Sequence, residues 1–169
     1  GTISQTFNTT PGTQYNLTFD LGVIAFNTNQ QRLQVTVTGS NTLLSQIATI
    51  NGINGGTVKW EAKSYTFTAN SEQTTLTFTD VSTVTNNIDM LLDNVKANPP
   101  GTGTPPSATN LVVNPSFETG VFTPWVTTGG ASANITSALI PTNGTKCVEF
   151  NGNNSATGGS VAQTFATTP

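Results

Sequence analysis

The sequence predicts an all-β fold: a two-sheet antiparallel jelly-roll sandwich, assembled from a back half and a front half. Three observations predict it. Apolar and polar residues alternate with period two in segment after segment. Threonine (34) and asparagine (19) together make 53 of 169 residues, and Thr suits strands while Asn suits turns. The stretch 1–11, GTISQTFNTTP, returns at 159–169 as GSVAQTFATTP, identical at seven of eleven positions at an offset of 158. A repeat with one copy at each end reads as one period of a longer tandem pattern, cut inside a unit, with the back half first.

The strands follow in order. Ile3, Gln5 and Phe7 alternate with Ser4 and Thr6 before Pro11-Gly12 turns the chain. Tyr15, Leu17, Phe19 and Leu21 share one face, with Asn16, Thr18 and Asp20 on the other. Residues 22–30 are predicted as a loop carrying Val23, Ile24 and Phe26. Leu33, Val35 and Val37 mark the third strand and 43–50 the fourth, with a turn at 51–56. Val58, Trp60, Tyr65 and Phe67 give a long strand, Leu76 and Phe78 another. Ile88 to Val95 is more continuously apolar, as a strand covered on both faces would be.

Residues 97–109, ANPPGTGTPPSAT, hold four prolines and no large apolar side chain, the composition of a semi-rigid linker. It separates residues 1–96, read as the back half of one unit, from residues 110–169, the front half of the next. In the front half a short strand at 111–113 precedes an Asn114-Pro115 turn. Phe117 and Trp125 anchor a small, polar tract, and 146–150 sends Cys147 and Glu149 to one side and Val148 and Phe150 to the other. The expected core is Phe7, Leu17, Phe19, Val35, Val37, Trp60, Phe67, Phe78, Leu92, Phe117, Trp125 and Phe150.

Chemistry is narrowed by what is missing. Five basic residues stand against eight acidic ones, a net charge of −3, so no basic patch exists for nucleic acid. The chain contains no histidine, which removes Ser-His-Asp and Cys-His catalysis and His-based zinc sites. Cys147 is the single cysteine; it excludes an intrachain disulfide and reads as a buried, inert thiol. Asp80, Asp89 and Asp93 fall near strand ends, where solvated turns explain them, so the chain is read as not an enzyme. No apolar run is long enough to cross a membrane as a helix.

The series LVVNPSFETG, a following Trp and GGSVAQTFATTP, with GTQYNLTFDLG, KWEAKSYTFTA, TLTFTD and LLDNVKA in the other half, resembles the jelly-roll domains of the choice-of-anchor surface-protein family. More distantly it is similar to carbohydrate-binding modules of galactose-binding-like fold. In the resembled family the NxSFExG strand opens the domain and the LDNV strand ends it, so the halves here stand in permuted order. Pro115 replaces the usual Gly of that turn. The resemblance implies that Glu118 and Asp93 sit together and help to hold a structural calcium; the residues alone equally allow Glu118 to bond its own turn and Asp93 to cap the last strand. Trp60 and Trp125 fall where that family has core tryptophans, which sets burial against sugar stacking at both. Phe26, in its loop, is the exposed stacking candidate.

Two functions from different classes emerge. One is a structural subunit or tandem repeat of an extracellular fibre or cell-surface stalk, joined to neighbouring copies of itself by strand or half-domain complementation. The two QTF copies would compete for one slot, with Ile3, Gln5 and Phe7 or Val161, Gln163 and Phe165 pairing with the next subunit. The alternative is a carbohydrate-binding module of a secreted protein, with polysaccharide as partner.

Overall fold

The computed structural model describes residues 2–99, 110–128, 133–152 and 160–163. Among them there is no α-helix, and eleven strands form two sheets. The strands are β1 (Thr2–Asn8), β2 (Gln14–Ala25), β3 (Gln30–Thr38), β4 (Thr42–Asn51), β5 (Thr57–Thr68), β6 (Gln73–Asp80), β7 (Ile88–Asn98), β8 (Val126–Thr128), β9 (Ala133–Thr136), β10 (Cys147–Phe150) and β11 (Ser160–Gln163). A six-stranded sheet runs β4-β3-β6-β1-β11-β8 and a five-stranded sheet β5-β2-β7-β10-β9. The predicted jelly-roll sandwich is therefore observed. Pairing is antiparallel throughout except between β1 and β11.

Period-two alternation decides what each sheet buries. On β2, Tyr15, Leu17, Phe19, Leu21, Val23 and Ala25 point into the sandwich; on β3 and β6, Leu33, Val35, Val37, Leu76 and Phe78 face them. Phe19 meets Phe78 edge-on at 5.0 Å between centroids, and Tyr15 stacks on Phe67 at 5.4 Å, packing that adds to simple area burial. Val112, Phe117, Trp125, Val148 and Phe150 of the front half join the same buried cluster. The two halves thus share one core.

The structure revises three sequence assignments. β2 continues to Ala25, so Val23 and Ile24 belong to a strand, not to a loop; Asp20 and Gly22 blur the sequence pattern without breaking the pairing with β5. β7 continues to Asn98, so the first two residues assigned to the linker are strand. Residues 111–113 make bends instead of a strand; Asn110 organises them, its Oδ1 accepting from the Ala97 and Val112 amides.

The repeated segments are not rivals for one place. β1 pairs β6 on one side and β11 on the other, and the pairs Thr2–Ser160, Ile3–Val161, Ser4–Ala162 and Gln5–Gln163 keep the 158-residue offset of the repeat. β11 in turn pairs β8. Each half brings its own copy, and the copies lie side by side in parallel. Phe7 is buried and Gln5 Nε2 donates to Val113 O; Phe165 lies outside the described residues.

Candidate functional site

The outer face of the five-stranded sheet carries the groups that alternation keeps out of the core. In register, one row across it is Trp60–Gly22–Leu91–Glu149–Asn134 and the next is Val58–Ile24–Asp89. Trp60 was expected in the core. It is instead half-buried on this outer face, because its pairing with Gly22 places it on the side away from Leu21 and Val23.

Gly22 explains how the indole lies. A Cβ there would fall 2.5, 2.6 and 2.7 Å from Cε3, Cζ3 and Cδ2 of Trp60. Near-equal approach to three consecutive ring atoms means that the ring lies face-down over Gly22, with its other face directed away from the sheet. Only a residue without a side chain permits that approach. The indole Nε1 donates to Ile140 O at 2.8 Å, which fixes the ring in its plane.

Phe26 extends the same strip. Its amide bonds Asn87 O and Gly56 N bonds Ala25 O, so the ladder continues past the end of β2 and puts Phe26 on the outer side, beyond Ile24 and Val58. The ring is 64% exposed and rests against Gly56. Four residue steps separate Phe26 from the position opposite Trp60, about 13 Å along a strand. Trp125, the third stacking candidate, is corrected: it is 3% exposed, packs on Phe117 at 5.5 Å and donates from Nε1 to Asn114 O. No face of it is left for a sugar.

Two carboxylates flank the strip. Asp89 neighbours Ile24 in the sheet, and burial, reinforced by the negative charge of Glu149, raises its pKa to about 7. Its Oδ1 is buried without a hydrogen-bond partner. Glu149 Oε2 accepts from Asn134 Nδ2 at 2.9 Å. Sequence reasoning explained Asp89 as a solvated turn residue and left Glu149 without a role; the sheet register that joins them was the missing signal.

The loop 137–146 crosses the other end of this face. Thr142 Oγ1 donates at 2.7 Å to Asp20 Oδ2 or at 3.0 Å to Asp93 Oδ2, and the Thr142 and Asn143 amides both donate to Asp93 Oδ2 at 2.9 Å. Asp93 Oδ1 takes the Asn94 amide. Asp93 is fully buried, contrary to a solvated turn, and burial raises its pKa although these hydrogen bonds oppose the rise. Glu118 holds the same loop further on, accepting the Thr145 and Lys146 amides and the Thr145 hydroxyl.

At the pair expected to hold calcium, all four carboxylate oxygens of Asp93 and Glu118 accept N–H or O–H donors from the protein, Asp93 Oδ1 and Glu118 Oε2 accepting one each and keeping a second lone pair. Among the described residues no group of three or more His, Cys, Asp or Glu could hold a metal ion. The two carboxylates act as clamps on loop 137–146.

Two solved structures resemble parts of the chain. A sugar-binding protein, the EclA C-terminal domain, aligns at 16% identity and a TM-score of 0.43 over 56% of this chain and 64% of its own. A structure titled for CBM4 structure and function aligns at 16% identity and a TM-score of 0.38 over 59% and 61%. The chain thus spans less than two thirds of each. No curated protein matches it. Residues 1–97 match the family described as protein of unknown function, DUF642, and the chain belongs to that family.

Proposed function

We propose that the protein is a non-catalytic carbohydrate-binding module of a secreted or cell-surface protein, which lays a polysaccharide chain along the outer face of β2 and β5. The observation that carries this reading is the half-buried Trp60 indole, face-down on Gly22 so that its other face is turned away from the sheet. Sugar rings present C–H faces that stack on such a surface, while their hydroxyls need polar groups at its margin. Phe26 supplies a second ring on the same strip, and Asp89, Glu149 and Asn134 supply the polar margin. Retention on a panel of insoluble polysaccharides tests the reading. The parent protein should be retained on at least one polymer and Trp60→Ala should elute, with an unchanged circular dichroism spectrum. A parent that is retained on none refutes it.

A second reading keeps self-association. β1 and β11 are near-copies in parallel register, so the corresponding strand of another copy could stand in for either, giving an extended assembly. Sedimentation across a wide concentration range tests this; a single monomeric species throughout refutes it.

A further inference from the structure

Resting on the sugar-binding reading above, we infer that Thr142 is a positioning residue for the carbohydrate platform: its hydroxyl, seated between the Asp20 and Asp93 carboxylates, sets loop 137–146 so that Ile140 O holds the Trp60 indole flat on Gly22. The platform is then built by both halves of the chain. β5 brings the ring, and the loop between β9 and β10 brings the acceptor that orients it.

The anchor stands next to the ring it controls. Asp20 pairs with Asp93, and Gly22, two residues further along β2 on the same outer face, pairs with Trp60. That step is about 7 Å along a strand. Asp20 and Asp93 are themselves fixed, Asp20 Oδ2 by Asn94 Nδ2 at 3.1 Å and Asp93 Oδ1 by the Asn94 amide. Thr142 therefore closes on a rigid pair of acceptors, and its own amide and that of Asn143 add two donors to Asp93 Oδ2.

The link from the anchor to the indole is short and stiff. Ile140, Pro141 and Thr142 are consecutive; the proline ring fixes its own φ and restricts the residue before it to extended backbone. A shift at Thr142 is passed to the Ile140 carbonyl instead of being absorbed between them. The indole has a single N–H, and Ile140 O takes it at 2.8 Å. Beneath the ring Gly22 offers no side chain to lock its rotation. A ring held in its binding orientation beforehand loses less freedom when a sugar stacks on it.

Thr142→Val keeps the side chain's shape and removes the hydroxyl, and Thr142→Ser keeps the hydroxyl. Acrylamide quenching reads the ring, because Trp125 is 3% exposed and the quenchable emission belongs to Trp60. Adsorption isotherms on cellulose, chitin and mannan read the binding. Thr142→Val should quench more readily than the parent and adsorb about threefold more weakly, the worth of one hydrogen bond, while Thr142→Ser should match the parent in both. In Trp60→Phe, which keeps an aromatic ring without the N–H, adding Thr142→Val should cause no further loss of adsorption. Parent-like quenching in Thr142→Val, with or without a lowered denaturation midpoint, overturns the inference and leaves the Trp60 platform standing. So does the same threefold loss in the Trp60→Phe background. A parent adsorbed by no polysaccharide overturns the sugar-binding reading itself, and the quenching comparison then still decides whether Thr142 positions the ring.

Discussion

Trp60 and Trp125 are the same side chain in two surroundings, and the contrast separates stability from recognition in this fold. Trp125 is wedged in the front half against Phe117, with its N–H spent on Asn114 O. Trp60 lies on the outside of the back half with one face on Gly22 and its N–H on the carbonyl of Ile140. Each ring has its polar atom satisfied, so hydrogen bonding does not distinguish them. What differs is the second face of the ring: core atoms cover it in Trp125, while in Trp60 it points away from the sheet.

The sharpest way to break the comparison is to truncate both. Trp125→Ala should cost about 3–5 kcal/mol of stability, the usual range for emptying a buried aromatic site, read as a lower denaturation midpoint. Trp60→Ala should cost little stability but weaken polysaccharide binding by up to about tenfold, the worth of one aromatic stacking contact. If Trp60→Ala unfolds the protein and Trp125→Ala does not, the two roles are reversed.

Gly22→Ala sharpens the same point without touching the indole. The added Cβ must lift the ring off the sheet, which should shift Trp fluorescence and reduce binding while the strand remains paired.

The acid pair adds a smaller, pH-dependent effect. Asp89 has a native pKa of about 7 against an ordinary 3.8, so between those values the folded protein keeps a proton that the unfolded chain has lost. Stability is therefore greatest below the lower value and falls as pH rises toward the upper one. Asp89→Asn removes this titration, so the variant's melting temperature should gain on the parent's between pH 4 and pH 8. A constant difference across that range would show that Asp89 is not the responsible group. The smallest expected effect is none: since Asp93 and Glu118 already receive donors, excess chelator should leave the melting curve in place, and a fall would show a cation that these contacts do not reveal.

Alternation and composition were enough to determine the all-β class and nearly all of the expected core positions, because a side chain's face in a strand depends only on its parity. Phe7, Leu17, Phe19, Val35, Val37, Phe67, Phe78, Leu92 and Phe150 are buried in their strands as expected, and Phe117 and Trp125, which lie outside the strands, are buried as well. The exception, Trp60, shows where parity stops: β5 contributes residues to both sides, and which side was interior depended on its partner in β2. Pairing across distant segments likewise brought Asp89 beside Glu149, and Asp20 and Asp93 onto one threonine. The repeat was plain in the sequence, but only the sheet decided that its copies lie together. Backbone hydrogen bonding asks for a neighbouring strand of any sequence, and β6 and β8 each satisfied one copy while the two copies satisfied each other.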